Sequence, residues 1–314
     1  MISAEGLTKD YGLHRAVDGV SFQIQRGDIV GLLGPNGSGK TTIMRMLTGF
    51  FGPTAGTCLV AGVDVQRHPR EARRHIGYLP ERVALYPDMT VRRYLTFVAR
   101  VHEVTGPVGE ALDEAMDRCG LSHMADRHIG KLSRGYRQRV GIAQAIIHRP
   151  DVLILDEPTV GLDPRQIVEI RTLIRQLAGN ATVLLSTHIL PEVSLTCRRV
   201  LILDKGHLVA EDTAEGLARK TMGQGETLLK VRAPMHEAMQ VFGACPGVSD
   251  VTVADRDPTG LISLVVSGEG DDDLGPVLAR LAVERGWALH EVSPQAISLE
   301  DLFVRILEDA EGSK

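Results

Sequence analysis

The sequence predicts an α/β fold built around a largely parallel β-sheet, with antiparallel strands at the amino terminus. Short, mainly apolar runs at residues 152–155, 181–186 and 200–203 alternate with stretches of helical periodicity. Strands that are apolar on both faces are typical of parallel sheets covered by helices on both sides. Residues 2–7 and 20–24 instead alternate apolar and polar side chains, which favours antiparallel strands with one solvated face.

A second, smaller α+β domain is expected after residues 220–225, where a polar stretch with two glycines interrupts the pattern. Because 314 residues are enough for two domains, we place the first at residues 1–221 and the second at 226–314. The second domain has the order β-α-β-β-α-β, which is the split βαβ of ferredoxin-like domains. Its predicted elements are strand 227–231, helix 234–242, a strand pair around 257–260, helix 274–285, strand 288–292 and helix 298–307.

The composition indicates a folded protein and argues against nucleic-acid binding. Apolar residues make up 43% of the chain, and the formal net charge of −5 gives no general attraction to nucleic acid. The four cysteines are far apart in the sequence, so we expect reduced, mostly buried thiols. The amino terminus lacks the features of a signal peptide, and no window approaches the ~18 apolar residues of a spanning helix. If the protein functions at a membrane, we therefore expect another protein to hold it there.

Residues 34–41 read GPNGSGKT and fit the phosphate-loop pattern G-x-x-x-x-G-K-[ST] at every position. A strand pattern precedes them and a helix pattern follows, as the motif requires. The glycines let backbone N–H groups face an anion, and the start of the helix adds partial positive charge. We expect Lys40 to reach the β- and γ-phosphates and the Thr41 hydroxyl to hold Mg²⁺. A plain glycine-rich turn would not explain these two residues.

The apolar run at residues 152–155 ends in two carboxylates, Asp156 and Glu157. Such a pair is by itself often only a polar strand end. Beside a phosphate loop it supplies the two groups that phosphoryl transfer needs. Asp156 is expected to hold Mg²⁺, and Glu157 to orient or deprotonate the attacking water.

Further motifs resemble those of the ABC (ATP-binding cassette) ATPases, in the order and at the spacing typical of that family, from about residue 2 to residue 218. The matching segments are 132–139 (LSRGYRQR, the signature), 156–159 (Walker B), 161–164 (D-loop) and 186–188 (switch histidine). Tyr11, followed by Val17, resembles the aromatic loop that stacks on adenine, although a tyrosine here also fits ordinary packing.

This resemblance implies an ABC-type P-loop NTPase fold: a RecA-like parallel-sheet core, an antiparallel β subdomain and a helical subdomain at about residues 84–150. It implies an ATPase that uses ATP and Mg²⁺, with Glu157, His188 and Lys40 in catalysis and Asp163 in the D-loop. The implied nucleotide-binding residues are Tyr11, Val17, Gly34, Pro35, Asn36, Gly37, Ser38, Gly39, Lys40, Thr41 and Thr42. The implied Mg²⁺ ligands are Thr41, Glu81 and Asp156.

Two departures from the family pattern narrow the resemblance. The Q-loop position, usually glutamine, is Glu81, and the signature has Arg134 and Tyr136 where glycine and glutamine are commoner. With residues 135–140, these departures resemble the gliding-motility and nitrous-oxide-maturation type of exporter ATPase. Residues 298–303 also resemble the tails of such ATPases.

The resemblance also implies partners. Two copies would sandwich two ATP molecules, with Ser133, Arg134, Gly135 and Tyr136 of one copy completing the site of the other. The second partner would be a separately encoded integral membrane permease that works in export. It would hold the chain at the cytoplasmic face of the membrane. Residues 85–91 would contact a cytoplasmic helix of that permease, although ordinary packing at a helix start explains them equally well.

Two other classes of function remain open at this point. A soluble ABC mechanoenzyme acting on ribosomes or nucleic acid is disfavoured because we find a single cassette, no long heptad run and a negative net charge. A regulatory protein that senses ATP without turnover is disfavoured because both Glu157 and His188 are present.

Overall fold

The computed structural model of the chain describes residues 1–213, 216, 226–257, 260–268 and 274–294. The chain divides into two compact units, Met1–Ala214 and Glu215–Lys314. The boundary that the sequence predicts at residues 220–225 and the predicted helix at 298–307 lie outside the described residues.

The first unit is built on a six-stranded sheet in the order β10-β9-β3-β8-β7-β6. Its strands pair in parallel, except that β10 is antiparallel to β9. Every residue of β7 and β8 is buried, as expected for strands covered on both faces. The predicted parallel sheet is therefore confirmed. The strands are β3 (Ile29–Leu33), β6 (Ile76–Leu79), β7 (Val152–Asp156), β8 (Thr182–Thr187), β9 (Arg199–Asp204) and β10 (His207–Thr213).

An antiparallel sheet in the order β2-β1-β4-β5 lies beside this core. Its strands are β1 (Ile2–Tyr11), β2 (His14–Ile24), β4 (Ala55–Val60) and β5 (Val63–Asp64). The alternation that predicted one wet face is seen in the second half of β2, where Val20, Phe22 and Ile24 are buried and the residues between them are exposed. The first helix, α1 (Lys40–Leu47), contributes Ile43 and Met44 to the core shared with these strands.

Three helices of the first unit begin at a side-chain cap. The Thr90 hydroxyl accepts from Arg93 N, the Ser133 hydroxyl from Tyr136 N, and an Asp163 carboxylate oxygen from Gln166 N. The helices are α2 (Pro69–Arg74), α3 (Val91–Val101), α4 (Val108–Arg118), α5 (Arg134–Ile146), α6 (Pro164–Leu177) and α7 (Leu190–Thr196). None of the helices in the described part of the chain has the length and apolar character that crossing a membrane requires.

The second unit has a four-stranded antiparallel sheet in the order β12-β13-β11-β14. Its chain order over the described residues is β-α-β-β-α-β, which confirms the split βαβ predicted from the sequence. Leu229, Phe242, Leu264 and Leu278 form the centre of its core. The elements are β11 (Glu226–Arg232), α8 (Met235–Gly243), β12 (Val248–Arg256), β13 (Leu261–Gly268), α9 (Gly275–Glu284) and β14 (Ala288–Pro294).

Candidate active site

A cleft of about 530 Å³ lies at the edge of the parallel sheet where β3, β7 and β8 end. This is the edge at which open α/β sheets bind ligands, since the loops after parallel strands converge there. The cleft is lined by Tyr11, His14, Ala16, Asn36, Gly37, Gly39, Lys40, Thr41, Thr42, Glu81, Glu157, Val160 and His188. Most of the residues predicted to touch nucleotide, metal or water thus meet in one place.

The phosphate loop joins β3 to α1 and depends on a glycine at position 39. Gly39 caps α1 with a φ of 103°, a conformation that side chains rarely adopt. A Cβ at this position would lie 2.7 Å from the carbonyl oxygen of Ala16, so any larger residue would push the loop away from β2. The loop therefore keeps its backbone N–H groups and the start of α1 directed at the cleft.

Lys40 is buried at the base of the loop, with 6% of its surface exposed. Its Nζ donates to the carbonyl oxygens of Gly34 and Pro35, at 2.8 and 3.0 Å. Burial lowers the pKa of the Lys40 ammonium, while the nearby carboxylates of Glu157, Asp156 and Glu81 act in the opposite direction. A buried cation with carbonyl partners is suited to an anionic ligand, because phosphate oxygens can replace those carbonyls.

Asp156 has the donor set and the orphaned atom that a Mg²⁺ site needs. Its Oδ1 accepts from Ser186 Oγ at 2.6 Å and lies 3.4 Å from Thr41 Oγ1. Its Oδ2 is buried without a hydrogen-bond partner among the described residues. An unpaired carboxylate oxygen is costly unless a ligand compensates it. Carboxylate and hydroxyl oxygens are hard ligands that suit Mg²⁺, so the residues fit the metal.

Glu157 and His188 both line the cleft and are in direct contact. His188 Nδ1 lies 3.1 Å from both Oε1 and Oε2 of Glu157. The Glu157 backbone has a φ of 49°, in the left-handed region that costs a non-glycine residue roughly 1–2 kcal/mol. Its N–H donates to Ser186 Oγ at 2.9 Å, which fixes this unfavourable conformation. The pair can therefore hold a water molecule or its proton at a defined point.

The remaining expected nucleotide contacts differ in position. Tyr11 is 47% exposed and stands at the rim of the cleft, edge-on to Phe51 at a ring distance of 5.9 Å. Val17 is fully buried and lies behind Gly39, so it does not line the cleft. Ser38, within the phosphate loop, is also buried. Glu81 is exposed and lines the cleft.

The signature residues lie outside this cleft, at a second concave surface of about 430 Å³. Ser133, Gly135 and Tyr136, at the start of α5, line it together with Asp163 at the start of α6. The guanidinium of Arg134 packs on the backbone of Gly161, where a Cβ would lie 2.2 Å from Nη1. Two helix starts and a D-loop thus form one surface that could face an anion held elsewhere.

Several cleft residues were missed from the sequence. His14, Ala16 and Val160 line the cleft without belonging to any expected motif position. The bonds of Ser186 to Asp156 and Glu157 were not foreseen either, although the switch motif contains this serine. The position of Ser186 near the end of β8, the strand that pairs with β7, was the signal that could have predicted these bonds.

Comparisons with known proteins agree with this geometry. A family model described as "ABC transporter" matches residues 17–160. The bacitracin transport ATP-binding protein BcrA of Bacillus licheniformis is 35% identical over 98% of this chain and 97% of its own length. A daunorubicin resistance ATP-binding protein of Streptomyces coeruleorubidus is 34% identical over 97% of this chain and 94% of its own.

A solved structure extends the comparison to three dimensions. It is the dimeric structure of a post-hydrolysis state of an ATP-binding cassette bound to ADP and Pi. It superposes with a TM-score of 0.63 at 25% identity, covering 68% of this chain and 99% of its own. The P-loop fold, the family match and relatives above 30% identity over nearly the whole chain lead to one assignment. The chain belongs to the ATP-binding subunits of ABC transporters and is an ABC-type ATPase.

Proposed function

We propose that this chain hydrolyses ATP between two of its own copies and thereby powers export through a separately encoded membrane permease. Two relatives that match over nearly the whole chain are named as ATP-binding proteins of bacitracin transport and of daunorubicin resistance. The observation that carries the proposal is the cleft, where Lys40, Asp156, Glu157 and His188 are brought together.

In this proposal the phosphate loop binds ATP, and Lys40 leaves its carbonyl partners for the β- and γ-phosphates. Thr41, Asp156 and Glu81 would hold Mg²⁺, and the ion would supply positive charge that offsets the charge developing on the phosphoryl oxygens. Support comes from the unpaired Oδ2 of Asp156 and from the position of Glu81 at the cleft wall. Tyr11 stacks on the adenine from the rim, and Val17 supports the loop from behind.

Glu157 and His188 act on the attacking water. The Glu157 carboxylate accepts a hydrogen bond from the water and takes its proton, while the His188 imidazole contacts the γ-phosphate and keeps the carboxylate in place. Their separation of 3.1 Å and the low exposure of Glu157, 9%, support this division of roles.

A second copy of the chain completes each site. Ser133, Arg134, Gly135 and Tyr136 of one copy face the γ-phosphate bound at Lys40 of the other, and Asp163 bridges the two sites. The supporting observation is that both helix starts, of α5 and α6, open onto one concave surface. Positive potential at these helix starts favours a phosphate there.

An apolar groove beside the helical region is the proposed contact with the permease. Phe50, Phe97 and Val101 line it and are 73%, 43% and 63% exposed. Tyr86, from the predicted contact segment 85–91, lies edge-on to Phe97 at a ring distance of 5.8 Å. Exposed apolar patches of this kind mark interaction sites, and a permease would supply a helix to cover them.

The finer assignments follow the same proposal. We place the ATP-binding domain at residues 1–221, with a helical subdomain at about 84–150, and an accessory domain at 226–314. Through the permease the chain would sit at the cytoplasmic face of the membrane. Glu81, Arg134 and Tyr136 favour the gliding-motility and nitrous-oxide-maturation type of exporter ATPase.

The test uses the Glu157→Gln variant, which is expected to bind ATP and lose turnover. The variant is expressed with a tag in the native host, Mg-ATP is added, and membranes are solubilised gently before purification. We expect an integral membrane protein to co-purify in stoichiometric amount. Ribosomal proteins or nucleic acid without a membrane partner would instead favour the soluble mechanoenzyme. Normal ATP hydrolysis by the variant would refute the role given to Glu157.

A further inference from the structure

Glu192 is a buried carboxylate on α7 that does not line the cleft. It is 9% exposed, and burying a carboxylate is costly unless donors compensate it. Two hydroxyl groups do so. Thr159 Oγ1 donates to Glu192 Oε2 at 2.6 Å, and Thr187 Oγ1 donates to the same oxygen at 3.3 Å. The shorter distance is typical of a charge-assisted O–H···O⁻ bond.

The two threonines belong to the two chain segments that carry Glu157 and His188. Thr159 follows Glu157 by two residues, and Thr187 immediately precedes His188 at the end of β8. Both threonines are buried, with 5% and 1% exposure. A single carboxylate oxygen therefore joins the loop after β7 to the end of β8, directly behind the pair that faces the cleft.

The same hydrogen-bond network also holds the backbone of Ile189, the residue that follows His188. Ile189 N donates to Thr187 Oγ1 at 3.1 Å. Because the Thr187 hydroxyl directs its hydrogen at Glu192, its lone pairs are left to accept from Ile189. Glu192 thus orders Thr187, and Thr187 orders the residue that follows His188.

We propose that Glu192 is a positioning residue for ATP hydrolysis. It holds the Glu157 carboxylate and the His188 imidazole at their separation of 3.1 Å through Thr159 and Thr187. The inference rests on the roles proposed above for Glu157 and His188. Because Glu192 does not touch the cleft, its removal should lower kcat and leave ATP binding intact.

The test compares steady-state ATP hydrolysis by full-length variants. A misplacement of about 1 Å in a reacting group can slow a reaction on the order of 10²-fold. We therefore expect Glu192→Ala to lower kcat by about 10- to 100-fold, with KM for Mg-ATP changed by less than about twofold. Glu192→Gln keeps the size and an acceptor oxygen and should restore most of kcat. Thr187→Val keeps the size, removes the hydroxyl and should lower kcat in the same way.

Val193→Ala is the matched control for destabilisation. Val193 is the next residue of α7, is fully buried and packs close to Gly31 on β3. Its truncation weakens the packing of the same helix without touching either threonine. We expect Val193→Ala to lower the unfolding temperature as much as Glu192→Ala does. Its kcat should nevertheless stay within about twofold of the wild type.

A further readout separates positioning from plain stability. If Glu192 acts through the catalytic pair, adding Glu192→Ala to His188→Ala should change kcat little, because coupled residues are not additive. Three results would overturn the proposal. They are additive losses of kcat in the double variant, equal losses of kcat in Glu192→Ala and Val193→Ala, and a raised KM at normal kcat in Glu192→Ala. Glu157→Gln separates a failure of the proposed catalytic roles from a failure of the positioning role. Full activity of Glu157→Gln would refute the roles proposed for Glu157 and His188. Normal kcat in Glu192→Ala, with Glu157→Gln inactive, would refute only the positioning role of Glu192. If Glu192→Ala does not fold, Thr187→Val and Glu192→Gln carry the test.

Discussion

At the scale of single residues, the cleft combines groups that are unfavourable in isolation. Lys40 is a buried cation, Asp156 has an unpaired buried oxygen, and Glu157 has a left-handed backbone. Each of these features costs free energy in the chain alone. In the proposed function, each is relieved or used when a phosphate, a metal ion or a water molecule binds. Such concentrated strain is typical of sites where binding and chemistry occur together.

Lys40→Ala should weaken ATP binding itself, in contrast to Glu157→Gln. Hydrogen bonds to a charged group contribute about 1.5–3 kcal/mol, so we expect the affinity for Mg-ATP to fall about 10- to 100-fold. Titration with a fluorescent ATP analogue measures this loss. Lys230→Ala, which removes a lysine paired with Glu291 in the second unit, is the control and should bind ATP normally. Unchanged affinity in Lys40→Ala would contradict the phosphate contact.

The sequence predicted the residues of the cleft better than the bonds between them. The phosphate loop and the Asp156–Glu157 pair follow patterns that local chemistry dictates, and both lie in the cleft. The contact of Glu192 with Thr159 joins residues 33 positions apart, and Glu192 lies in none of the motifs found in the sequence. Contacts of this kind depend on how the ends of neighbouring strands meet, which no single-sequence pattern encodes.

At the scale of elements, the helix α5 connects the signature to the strand that leads into the Q-loop. Ser133 caps its start, and just beyond its end His148 Nε2 lies 3.0 Å from the carbonyl oxygen of Ile76 on β6. The His148 ring stacks on His102 at a centroid distance of 4.1 Å. Because β6 ends two residues before Glu81, the end of α5 is tied to the segment that enters the cleft.

This histidine predicts a pH dependence of stability. Burial, and then the neighbouring His102, lower the pKa of His148 from its ordinary value of 6.5 to about 4. Between these values the unfolded chain binds a proton that the folded chain does not. The free energy of unfolding should therefore be full above pH 6.5 and fall as the pH drops toward 4. The loss from this group is at most about 3 kcal/mol, since one pKa unit corresponds to ~1.4 kcal/mol.

Denaturant unfolding of the wild type and His148→Gln between pH 7 and pH 4 checks this prediction. Glutamine does not titrate, so the variant should lose less stability than the wild type across this range. His102→Gln serves as a comparison, because burial also lowers the pKa of His102. Parallel curves for the wild type and His148→Gln would show that His148 has the same pKa in the folded and the unfolded chain, which would contradict the prediction.

At the scale of the whole molecule, the cassette and the second unit differ in how far the sequence explains them. The cassette has a cleft lined by Lys40, Glu157 and His188, and an exposed apolar groove. The second unit has the β-α-β-β-α-β order that the succession of its predicted elements gave, with a core centred on Phe242 and Leu264. In the described part of the chain, no cluster of three or more potential metal-ligating side chains was found. Fold alone does not assign a function to this unit.

The proposed coupling of ATP hydrolysis to a permease depends on the exposed apolar groove. If the groove at Phe97 receives a permease helix, a charge placed there should uncouple hydrolysis from the membrane partner. Phe97→Asp is expected to keep basal ATP hydrolysis, because Phe97 is exposed and lies outside the catalytic cleft. The stimulation of hydrolysis by the co-purified permease should fall about tenfold or more, since a buried unpaired charge in an interface costs several kcal/mol.

Val283→Asp is the matched control, because it adds the same charge at a valine that is 67% exposed in the second unit. Full stimulation in Phe97→Asp would remove the groove from the interface and leave the permease contact to another surface. Loss of stimulation in both variants would instead assign part of the contact to the second unit. Loss in Phe97→Asp alone, with basal hydrolysis intact, would mean that the aromatic groove transmits ATP-driven closure to the membrane.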